Sequence, residues 1–102
     1  MGINVSLETE RGEKLASVGD PTNLLHRALP DPDDPQFTWA GTIDWYGDTV
    51  FNRLQAPLLR RDWALLTQNA ADEKTEKLLK RIDKLLQRCA SEVHHYVKFY
   101  GD

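Results

Sequence analysis

One segment restricts the rest of the chain more than any other. From Asn69 to Ser91 the sequence reads NAADEKTEKLLKRIDKLLQRCAS. At 3.6 residues per turn, Leu78, Leu79, Ile82, Leu85, Leu86 and Cys89 fall on one helical stripe. Asn69 is the expected cap, Asp72, Glu73 and Glu76 occupy the first turns, and Lys84 and Arg88 lie toward the far end. Acids at the start and bases at the end complement the helix dipole. Glu73 with Lys77 and Glu76 with Lys80 add i,i+4 pairs worth about 0.2 to 0.5 kcal/mol each. A helix of this kind draws most of its stability from packing its apolar face, so the remaining residues must supply a cover.

The cover is a sheet and a second helix. INVSLETERGEKLASVG alternates Ile3, Val5 and Leu7 with polar residues, turns at Arg11-Gly12 and runs on to Val18, which predicts a hairpin with one buried face. EVHHYVKFYGD, rich in β-branched and aromatic residues, predicts a closing strand that pairs with the hairpin. In TVFNRLQAPLLRRDWALLTQ a proline inside a helix would cost about 3 kcal/mol, so the second helix starts at Pro57. Leu58, Leu59, Leu65 and Leu66 then form a stripe with Asp62 near its middle, where an acid needs a buried donor. Asp20 before Pro21 starts a short helix ending near Leu29. PDPDDPQ, with three of the five prolines, is an exposed loop. FTWAGTIDW reads as a strand or an extended packing segment. The expected fold class is α+β: a small antiparallel sheet, N-terminal hairpin plus C-terminal strand, packed against two main antiparallel helices in one domain over residues 1–102.

Charge separates the two halves. Residues 1–50 hold nine acids against three bases; residues 51–102 hold seven acids against ten bases. The acidic half suits a basic protein partner. The basic side of the last helix (Lys77, Lys80, Arg81, Lys84, Arg88) has no interleaved aromatics for base stacking, so a solvated face is preferred over nucleic-acid binding. No stretch approaches the ~20 consecutive apolar residues of a membrane span, and no basic-then-apolar leader opens the chain. Met1-Gly2 with Ser6 meets only part of a myristoylation pattern. The single Cys89 excludes an internal disulfide. The expectation is a cytoplasmic protein.

No motif specifies a reaction, and none calls for a cofactor. His94 and His95 follow Cys89 closely, but neighbours on a strand point to opposite faces and Cys89 lies on an apolar stripe, so no metal site is expected. A buried thiol ionises poorly, which makes Cys89 core rather than nucleophile. Asp44 and Asp48 form the competing catalytic reading, as paired carboxylates acting with a histidine. Gly19-Asp20-Pro21 lacks the glycines and Lys-Ser/Thr of a phosphate loop.

An aromatic pair runs into Gly-Asp twice, as Trp45-Tyr46-Gly47-Asp48 and as Phe99-Tyr100-Gly101-Asp102. In the first copy Gly47 is expected to take an unusual backbone angle and Asp48 to cap the amide of Val50 or Phe51. The second ends a strand. Trp39, Trp45 and Tyr46, with Asp44 and Asp48 between them, stand beside the acidic loop of Asp31, Asp33 and Asp34. Aromatics rimmed by charge are typical of protein-binding hot spots, although core packing is the ordinary fate of a tryptophan.

DWYGDTVFNRLQ together with YVKFYGD resembles small, single-domain, mostly uncharacterised bacterial proteins over nearly the whole chain. In general profile the chain also resembles the immunity proteins that neutralise polymorphic or contact-dependent toxins. That second resemblance implies a non-enzymatic protein-binding module that occludes the active site of a toxin, possessing no cofactor and facing a basic toxin domain. Asp31, Asp33, Asp34, Trp39, Asp44, Trp45, Tyr46 and Asp48 are the expected partner-binding residues. The alternatives are a small enzyme or enzyme accessory using Asp44 and Asp48, and a nucleic-acid-binding regulator using the last helix.

Overall fold

The computed structural model describes residues 2–101; Met1 and Asp102, the end of the second Tyr-Gly-Asp, lie outside the described residues. In chain order the elements are β1 (Asn4–Thr9), β2 (Lys14–Val18), α1 (Leu24–Ala28), β3 (Asp48–Phe51), α2 (Ala56–Gln68), α3 (Glu73–Ser91) and β4 (His95–Tyr100). The fold is α+β, with one antiparallel sheet in the order β2-β1-β4-β3. The expected three strands gain a fourth: Asp48–Phe51 pairs with β4 and places it inside the sheet. No helix among the described residues is long and apolar enough to cross a membrane.

Alternation along the strands builds one core. Val5, Leu7, Phe51, Val97 and Phe99 are buried, as are Leu79, Ile82, Leu86 and Cys89 on the stripe of α3. Phe99 is the centre, with Phe51 at 5.7 Å edge-on and Trp63 at 5.8 Å between ring centroids. The second stripe is shifted from the expected one. Ala56, Leu59, Trp63 and Leu66 face inward, while Leu58 and Leu65 are half-buried at its margins. Trp63 is tolerated there because its indole N–H donates to the Leu79 carbonyl at 2.8 Å, satisfying its one polar atom. Arg60 holds Asp83 through two hydrogen bonds of 2.9 and 3.1 Å, tying α2 to α3.

The helix starts depart from expectation for local reasons. Asp72, not Asn69, caps α3, accepting from the Thr75 amide at 2.8 Å; Asn69 ends α2 instead. Asp20 does cap, but at a distance: its carboxylate accepts from Leu24 and Leu25 at 2.9 and 2.6 Å, so α1 begins at Leu24 rather than Pro21. The Glu73–Lys77 and Glu76–Lys80 pairs form at 3.0 and 3.7 Å. The hairpin turns at Gly12, whose φ of 84° suits a residue without Cβ.

Candidate functional site

The segment Phe37–Tyr46 is neither strand nor extended packing. Phe37, Ala40 and Ile43 are buried and pin a turn that tightens into a short 3₁₀ helix over Ala40–Thr42. Asp62, the acid on the α2 stripe, finds its donors here: one oxygen accepts from the amides of Trp39 and Ala40 at 2.8 and 2.9 Å. An acid in the middle of a helix thus fixes a loop more than twenty residues away in sequence.

Beyond Ile43 the two Tyr-Gly-Asp stretches meet. They run antiparallel, with Asp48 opposite Tyr100 in the β3–β4 register and the Gly101 amide donating to the Gly47 carbonyl at 2.7 Å. Gly47 does not adopt the left-handed angle expected of it; Gly12 is the one glycine with positive φ among the described residues. Close approach explains both glycines. A Cβ on Gly101 would lie 2.6 Å from the Gly47 nitrogen and oxygen, and one on Gly47 would lie 2.7 Å from an Asp44 carboxylate oxygen. The two copies are halves of one backbone contact.

Asp44 and Thr49 lock the turn that leads into this contact. The Asp44 carboxylate accepts from the Tyr46 amide, and its own amide donates to Thr49 Oγ1, both at 2.9 Å. Asp48 does not cap a helix; it opens β3, and Lys98 Nζ stands 3.9 Å from its carboxylate. The three aromatics have separate fates. Trp39 and Trp45 are half-buried against the core, and Tyr46 is 73% exposed. The sequence reading missed His26, whose ring lies 4.5 Å from that of Trp45 and 6.3 Å from Tyr46. A lone histidine on a five-residue helix carries no signal in sequence.

The acidic loop forms its own unit. Asp34 receives the Gln36 amide on its side chain at 3.0 Å and donates its amide to the Asp31 carbonyl at 3.0 Å, with Phe37 as the anchor. Asp31 and Asp33 are exposed and Asp34 is half-buried. Among the described residues no hydrogen bond or ion pair joins these three to Asp44, Tyr46 or Asp48.

The sheet face turned away from the helices bears a second cluster. Ser6 and Glu8 of β1 alternate with the core residues, as do Lys98 and Tyr100 of β4. Glu8 is only 7% exposed because the Tyr100 ring lies over it, with Lys98 Nζ and Lys14 Nζ at 4.8 and 5.1 Å from the ring centroid. Ser6 and the Tyr100 hydroxyl both donate to Glu8 Oε2. Burial pushes the Glu8 carboxyl up, but the two hydroxyls and the lysine charges outweigh it and hold the group below its usual range. The same carboxylate, with burial, pushes the Tyr100 phenol up. A covered carboxylate that is easily ionised, with one oxygen engaged by two hydroxyls, is a poor proton acceptor. It anchors the tyrosine over the sheet.

The catalytic reading of Asp44 and Asp48 gains little from this geometry. Both are exposed and each is held by a different partner. His95 begins β4 while Tyr100, the partner of Asp48, ends it, a separation of about 17 Å along the strand. The Nδ1 atoms of His94 and His95 lie 3.0 and 2.9 Å from carboxylate oxygens of Glu10 and Glu92, the His95 approach lacking hydrogen-bond geometry. Cys89 is buried in the core, and burial raises its thiol pKa. Among the described residues no three His, Cys, Asp or Glu side chains gather as metal ligands would. No family model, curated protein or solved structure matches the chain.

Proposed function

We propose that this chain is a non-enzymatic protein-binding module, most specifically an immunity-type protein that neutralises a bacterial toxin by covering its active site. The observation that carries the reading is Tyr46: a large aromatic side chain, 73% exposed, on a backbone held by Asp44, Thr49 and the Gly47–Gly101 contact. An exposed tyrosine on a backbone already held loses less freedom on binding than one on an unanchored loop, and exposed aromatics are the usual anchors of protein interfaces. Asp44 and Asp48 flank Tyr46 in the chain, Trp39 and Trp45 are half-buried against the core in the same segment, and Asp31, Asp33 and Asp34 supply charge that steers a basic partner. The excess of acids in the first fifty residues supports that sign.

The nucleic-acid reading is weaker because Lys77 and Lys80 on the outer side of α3 are already paired with Glu73 and Glu76. The immunity assignment is tested by producing the chain in cells exposed to the toxin, alongside Tyr46→Ala and an Asp31/Asp33/Asp34→Asn variant. Affinity capture from the native cell identifies the partner. The proposal expects protection by the parent and a loss of both protection and capture in the variants, at unchanged folding. Equal protection and capture by all three would place the interface elsewhere.

A further inference from the structure

Among the described residues the large exposed apolar side chains are Leu15, Tyr46, Val50, Leu54 and Val93. Tyr46, Val50 and Leu54 sit on or beside β3, and Val93 shares an open depression with Leu54. The apolar exposure is therefore concentrated along one edge of the sheet.

The backbone of that edge is free. Because the Gly101 amide bonds the Gly47 carbonyl and β3 pairs Thr49 with Phe99 and Phe51 with Val97, the alternation of an antiparallel ladder assigns those residues to the bonds with β4. The N–H and C=O groups of Asp48 and Val50 then point outward, and no hydrogen bond among the described residues engages them. The opposite edge is treated differently. β2 carries Lys14 and a register shift where it pairs with β1, devices that discourage strand addition. β3 has neither lysine, proline nor bulge.

We propose that the β3 edge is a self-association site, at which a second copy of this chain adds its own β3 antiparallel to form one continuous sheet. A two-fold axis at Thr49 sets Asp48 opposite Val50 of the second copy and pairs every outward group. An axis at Asp48 would oppose two carboxylates and is disfavoured. The edge is complementary to itself: Asp44 precedes β3 and Arg53 follows it, so antiparallel pairing brings the basic end of one copy toward the acidic end of the other. Tyr46 belongs to this edge and to the proposed partner surface, so partner and second copy exclude one another there. Self-association is measured on the chain alone and stands independently of any partner.

Sedimentation equilibrium over a concentration series tests the proposal on the full chain. The parent mass should rise from 11.7 kDa toward twice that value, with amide exchange at Asp48 and Val50 slowing as concentration increases. Val50→Glu sets a carboxylate opposite Asp48 of the second copy, a like-charge pair, and should remain monomeric with an unchanged melting curve. Val50→Pro, which removes one outward N–H without touching a β4 bond, should do the same, so a folding defect in one variant leaves the other as the test. A parent that stays at 11.7 kDa up to millimolar concentration overturns the proposal. So does a folded Val50 variant that dimerises as the parent does.

Discussion

Glu8 occupies a position of β1 that strand alternation assigns to water, yet a tyrosine from the last strand covers it. This arrangement has a consequence for acid stability. An unfolded glutamate titrates near ~4.3, and the folded Glu8 carboxyl titrates lower, so the unfolded chain takes up its proton first. The stabilisation is complete above the unfolded value and is lost as pH falls through the folded one. Denaturant unfolding at a series of pH values should show Glu8→Gln losing less stability than the parent through that window; parallel curves would contradict the assignment. Tyr100→Phe removes one of the two hydroxyl donors and should cost about 1 kcal/mol at neutral pH. The glycines make a sharper case. Gly101→Ala drives a Cβ into the Gly47 backbone at 2.6 Å, and a chemical melt should register a loss of about 2 kcal/mol or more. A melt like the parent's would mean that the two Tyr-Gly-Asp stretches are not in contact.

Elements differ in how far their sequence announces them. α3 was legible because its stripe and its charge order are local properties of nineteen residues. β3 was not: four residues, Asp48–Phe51, become a strand only because β4 arrives beside them from nearly fifty residues later. The cap of α3 was misplaced by three residues because Asn69 and Asp72 are both good caps, and what separates them is the length of α2. Asp72→Ala should therefore cost about 1 kcal/mol while Asn69→Ala changes little, a difference thermal unfolding can resolve; the opposite order would return the cap to Asn69. The candidate site was legible in part. Its aromatic and acidic members stood out as types, and Asp62 was expected to find a donor. That Trp39 and Trp45 turn inward while Tyr46 turns outward depends on the turn Asp62 holds. Asp62→Ala releases the Trp39 and Ala40 amides, and hydrogen exchange should accelerate over the Phe37–Tyr46 segment with the sheet unaffected. Unchanged exchange there would remove Asp62 from the account.

At the scale of the molecule, β4 joins the N-terminal hairpin to β3 and carries Val97 and Phe99 into the core. Deleting residues 97–102 would leave β3 without its neighbour, and cooperative unfolding should vanish. The same strand backs the glycine contact behind Tyr46, so the proposed binding surface depends on the sheet being closed. Charge and anchor should nevertheless act at different stages of an encounter, since long-range attraction sets how often partners meet and a buried aromatic sets how long they stay. The direct measurement is the kinetics of the captured partner on the parent, on the Asp31/Asp33/Asp34→Asn variant and on Tyr46→Ala, at several salt concentrations, with folding checked in parallel. The triple variant should associate more slowly with a flatter salt dependence, and Tyr46→Ala should dissociate faster, losing about 2 kcal/mol or more of binding free energy. Parent-like rates from both folded variants would contradict the account and leave this corner of the molecule without a part in recognition.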